Sequence, residues 1–101
     1  MNQKLISLHQ EFYDRWNETH MRHSAEAEEV NQAAISLIQL LKAYQKENDP
    51  ERSVFEQQAA PVNAAERFQF AQERAGHFTG RLEICKLAKE MKHKLLRRPG
   101  R

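Results

Sequence analysis

The sequence predicts an all-α protein, a long antiparallel helical hairpin with a short connecting helix, completed to a bundle by dimerisation. Three observations lead there. Turn residues are scarce, with three Gly and three Pro in 101 residues. Valine occurs only at Val30, Val54 and Val62, while the helix formers Ala, Glu, Gln, Lys and Arg abound. Apolar residues recur at steps of three and four over long stretches, the spacing of one buried helix face.

The first helix is expected over about 2–45. Its apolar face runs through Leu5, Leu8, Phe12, Trp16 and Thr19, then Ala27, Val30, Ala34, Leu37, Leu41 and Tyr44. From Val30 onward the alternation of four and three resembles a coiled-coil seam, which Ile35 and Ile38 widen. The polar middle, NETHMRHSAEAEE, gives a competing reading in which the helix breaks near 20–24. Ser24 could then cap the second piece, with basic residues ending one helix and acidic ones opening the next. No Gly or Pro marks such a break, so continuity is the expectation.

A short helix is expected over about 50–59, opened by Pro50 and closed before Pro61, with Val54 and Phe55 pinning it to the rods. The last helix is expected over about 64–97. Asn63 and Glu66 form a near-analogue of the capping box. A seam follows at Phe68, Ala71, Ala75, Phe78, Leu82 and Cys85, then Ala88, Met91 and Leu95, and Pro99 and Gly100 end it. The implied hairpin register sets Trp16 near Leu95 and Ala34 near His77.

A helix of about 40 residues is roughly 60 Å long. Two such rods bury one stripe each, little core for the chain entropy lost. That shortfall is the argument for a homodimer. No signal peptide or membrane span is legible, and Cys85 is the only cysteine, so a cytoplasmic location is expected.

Charge is unevenly spread. From Lys86 to Arg101 there are seven Lys/Arg and one Glu, net +6, leaving the first 85 residues at nine basic and thirteen acidic, net −4. Lys86, Lys89, Lys92, His93, Lys94, Arg97, Arg98 and Arg101 are therefore the candidate contacts for phosphates or an acidic partner. The basic end has no aromatic residue, so contact there would be with phosphates and not bases. No helix-turn-helix is apparent.

Gly76 and Gly80, four apart in a helix, each cost about 1 kcal/mol relative to Ala and suggest a helix-packing notch. Phe12, Tyr13 and Trp16 cannot all face one narrow stripe, and form a candidate hydrophobic anchor for a partner. His20, His23 and Glu26 share a face, but the two Glu-x-x-His motifs on paired helices that di-metal bundles use do not occur, and no metal or cofactor is expected. Cys85 lies on the seam, and no nucleophile elbow or phosphate loop occurs. The expected function is a non-enzymatic helical adaptor, chaperone-like protein or inhibitor that binds a protein partner. The alternative is a nucleic-acid-binding regulator using the basic end.

Overall fold

The computed structural model describes residues 2–22 and 26–96. Among these the chain is all-helical: α1 (Asn2–Arg22), α2 (Ala27–Asn48), α3 (Ala64–Glu73) and α4 (Phe78–Leu96), with a single 3₁₀ turn at Val54–Glu56. The extents are 39 × 24 × 19 Å. Neither expected rod fits that box, and each is divided in two.

The first division lies at 23–26. Glu26 and Glu29 form a capping box, in which Glu29 Oε1 accepts the Glu26 backbone N–H at 2.8 Å. Together with Glu28, these carboxylates favour a helix N-terminus at this point. The continuous helix over about 2–45 is thus replaced by two helices packed on each other. Ser24, the cap expected for such a break, and His23 lie outside the described residues.

The second division lies at 74–77, where the helix expected over about 64–97 becomes α3 and α4. The Arg74 N–H bonds back to Phe70 and the Ala75 N–H to Gln72, after which the His77 N–H bonds to Arg74. α3 also starts differently from expectation. Asn63 is left-handed, at φ 56° and ψ 41°, and makes no side-chain cap bond. Asparagine tolerates that region, so it turns the chain rather than forming a capping box.

In place of the helix expected over about 50–59 there is only the 3₁₀ turn. The reason is Gln57. Its buried side-chain amide donates to the carbonyls of Asp49 and Arg52, at 2.9 and 2.8 Å, and to Ser53 at 3.3 Å. Those carbonyls would serve the next helical turn, and the side chain takes them first. Phe55 still pins the segment, its ring 5.9 Å from that of Phe68.

α2 and α4 each touch the other three helices, whereas α1 and α3 do not meet. The core between them holds Phe68, Leu37, Leu41, Ile84, Leu87 and Met91, all fully buried, each worth about 1.5–3 kcal/mol of apolar burial. On α2 the buried face is the expected one: Val30, Ala34, Leu37, Leu41 and Tyr44. On α4 it is the expected one from Ala88 onward, through Met91 and Leu95, and differs before it. Gly80, Ile84, Leu87, Ala88, Met91 and Leu95 are buried, while Phe78 is 59% exposed and Leu82 is half-buried.

α1 runs antiparallel to α4, but not in the expected register. Trp16 lies at Cys85, its Nε1–H donating to Sγ at 3.1 Å, ten residues from Leu95. The α1 face keeps Leu5 and Trp16 buried as expected, but His9 is buried where Leu8 was expected, and Leu8 is exposed. A half-buried ion network ties α3 to α4. Arg67 contacts Glu83 at 2.6 Å and Glu90 at 2.7 Å, and Glu90 Oε2 accepts the Val62 N–H at 2.7 Å.

Candidate functional site

The fold offers three surfaces: the groove between α1 and α2, the outer stripe of α4, and the turn between α3 and α4.

The groove is lined by Phe12, Arg15 and Trp16 of α1 and by Glu29, Gln32, Ala33 and Ser36 of α2, and holds about 220 Å³. Small residues on α2 and large rings on α1 create it. Ala33 and Ser36 are too small to fill the space beside Phe12. The anchor expected at Phe12, Tyr13 and Trp16 divides accordingly. Trp16 is 6% exposed and belongs to the core. Phe12 is half-buried in the groove wall. Tyr13 is half-buried on the α4 side, under Lys92, whose Nζ is 4.8 Å from the ring centroid. Leu8, one turn before Phe12 on the same face of α1, is exposed.

The basic end of α4 is also divided. Lys94 Nζ donates to the Ala60 carbonyl at 2.8 Å and lies 3.9 Å from Glu90. Lys92 covers Tyr13. Both therefore brace the fold and are not presented outward as phosphate contacts. Lys86, Lys89 and His93 are exposed, and no carboxylate partners them among the described residues. Arg97, Arg98 and Arg101 lie outside the described residues, as do the expected terminators Pro99 and Gly100.

The glycine notch does not form. Gly76 sits in the α3–α4 turn, and a Cβ there would meet only Ala27 Cβ at 4.0 Å. Gly80 alone marks a close approach. A Cβ on it would lie 2.1 Å from the Arg74 carbonyl oxygen and 2.9 Å from that of Ala71. It packs the start of α4 against the end of α3 and the turn that joins them. Only a residue without Cβ lets α4 begin so close to the end of α3.

That turn carries residues the sequence reading did not single out. Phe70 is 39% and Phe78 59% exposed. The Arg74 guanidinium lies 5.7 Å from the Phe70 ring centroid, and that of Arg81 lies 5.1 Å from Phe78. Each exposed ring thus has an arginine over it. The available signal was the F-x-x-x-R and F-x-x-R spacing, one helical turn in each case. Phe78 was assigned to the seam because the three–four periodicity runs unbroken across the turn.

His9 is the one buried titratable group on α1 that no spacing argument indicated. It is 1% exposed and stacks on Tyr13 at 6.0 Å. Burial lowers its pKa, outweighing a hydrogen bond to the Ala88 backbone, and the Lys92 charge lowers it further. No group of three or more His, Cys, Asp or Glu able to hold a metal occurs among the described residues. The His20 and His23 side chains fall outside them. No helix among the described residues is long and apolar enough to cross a membrane.

A protein-family model described as YpoC-like protein matches residues 2–99. No curated protein and no solved structure matches the chain.

Proposed function

The chain belongs to the YpoC-like protein family, and we propose that it is a non-enzymatic, cytoplasmic interaction protein that binds a helical segment of a protein partner. The observation that carries this is the α1–α2 groove. It is open along its length, has Phe12 as an apolar wall and Ala33 and Ser36 as its floor, and is bordered by Arg15 and Glu29. An amphipathic helix laid there would set apolar anchors against Phe12 and Leu8 and meet one charge of each sign at the rim. The simplest partner is a second copy of the chain, and an adaptor or inhibitor role follows if the partner is another protein.

The test is a cross-linked pull-down comparing the native chain with Leu8→Asp and Ser36→Arg, both at accessible positions that leave the core untouched. A partner lost in both variants supports the reading. Identical captured proteins from all three chains overturn it.

A second reading, contact with nucleic-acid phosphates, has its own support. Lys86, Lys89 and His93 form an exposed stripe at three–four spacing with no internal carboxylate to occupy it. Binding of this kind weakens steeply with salt. Its absence at low salt removes the reading.

A further inference from the structure

We propose that the α3–α4 turn is a stacking platform for unpaired nucleic-acid bases, a reading that rests on the phosphate contacts just described and names their ligand as single-stranded. Phe78, Leu82, Lys86, Lys89 and His93 follow one another at steps of four, four, three and four, so they share one stripe of α4. The stripe is about 22 Å long from Phe78 to His93. One end carries exposed rings and the other exposed cations.

The composition of the ring end selects the ligand. Phe70 and Phe78 are both exposed, and each is covered by a guanidinium, that of Arg74 at 5.7 Å and that of Arg81 at 5.1 Å. The exposed remainder of each ring is therefore offered beside a planar cation. Unpaired bases stack on both kinds of surface, and their phosphates are drawn by the same arginines. A duplex keeps its base faces within its own stack and gains nothing from exposed rings. The neighbouring carboxylates do not cancel the charge. Glu83 is held by Arg67 at 2.6 Å, and the single negative charge of Glu73, which the Gln69 amide bonds at 3.0 Å without neutralising it, is outnumbered by Arg74, Arg81, Lys86 and Lys89. An acidic protein would use the cations but leave the paired flat faces without a matching group.

Fluorescence anisotropy with a labelled oligothymidylate, a duplex of equal length and a polyglutamate peptide tests this on the full chain at low and physiological salt. The oligothymidylate is expected to bind more tightly than the duplex. Phe70→Ala and Phe78→Ala should each weaken that binding about ten-fold, with Phe78→Tyr restoring it. Lys86→Ala with Lys89→Ala should weaken both nucleic acids alike. Circular dichroism melts confirm that each variant remains folded, and should Phe78→Ala melt early, the exposed Arg74→Ala reads the same site. Equal binding of duplex and single strand, unchanged in both Phe→Ala variants, overturns the platform while leaving the phosphate reading standing. No oligonucleotide binding at low salt overturns both. Binding of polyglutamate alone assigns the surface to an acidic protein and overturns the proposal.

Discussion

Two glycines four residues apart behave differently because their surroundings do. At Gly80 a methyl group would strike the Arg74 carbonyl, a backbone atom that cannot rotate away. Gly80→Ala is expected to cost about 1–3 kcal/mol, a fall of roughly 5–20 °C in Tm for a domain of this size. Gly76→Ala meets only an ordinary contact with Ala27 and should leave Tm unchanged or slightly raised. Thermal melts of the pair decide it, and equal losses would mean that the approach of α4 to Arg74 is wrong. His9 makes a second prediction at this scale. Its folded pKa lies below the usual value of about 6.5, so the unfolded chain binds the proton more readily. The contribution of His9 is then complete above about pH 6.5 and is lost as pH falls through that value towards the folded pKa. Urea titrations from pH 7 to 5 should show this loss in the native chain and not in His9→Phe.

Between α3 and α4 the fastening is ionic as well as apolar. Burial alone would raise the pKa of Glu90. The Arg67 hydrogen bond, the Val62 N–H and the charges of Arg67 and Lys94 outweigh it and hold the carboxyl below its usual range. Its folded pKa is depressed, so this support is present above about pH 4.5 and disappears as pH falls below it, a window distinct from that of His9. Arg67→Ala would leave Glu83 and Glu90 close together without their common cation. It should cost about 2–4 kcal/mol at neutral pH and less at pH 4, measured by denaturant unfolding. A loss independent of pH would mean that the arginine matters only through its packing.

The molecule as a whole has a radius of gyration of 13.1 Å, close to that of a compact domain of about 100 residues. Folding each expected rod in two supplies the core that the rods lacked, and with it the shortfall that argued for a second copy goes. A dimer now depends on the α1–α2 groove alone. If the groove is its seat, light scattering should give twice the 11.9 kDa chain mass for the native protein and a single mass for Leu8→Asp. One chain mass for both, constant on dilution, removes the dimer and leaves a different protein partner.

Legibility also differed with scale. The face of α2 could be read because Val30 to Tyr44 keeps one period within one helix. The ends of α1 at Arg22 and of α3 at Glu73 could not. The first has no Gly or Pro and is set by Glu26 and Glu29. Across the second, Ala71, Ala75, Phe78 and Leu82 stay in phase although the helix does not. The first turns of α4, at Phe78 and Leu82, were therefore assigned to the wrong face, which concealed the exposure of Phe78, while Ala88, Met91 and Leu95 were read as the buried positions they are. The lysines looked alike in sequence, and only packing distinguishes Lys92 and Lys94 from Lys86 and Lys89.

The chain has one tryptophan and one cysteine, and they touch across the α1–α4 interface. That contact makes Trp16 an optical reporter of this single junction. Its emission in the folded state should be blue-shifted by burial and dimmed by the adjacent thiol. Separation of α1 from α4 would lift the quenching, which answers to this junction, and move the emission to longer wavelength, which also senses α2 because Trp16 lines the α1–α2 groove. Cys85→Ser would brighten the folded signal without shifting it, giving the undocking of one helix its own intensity signal.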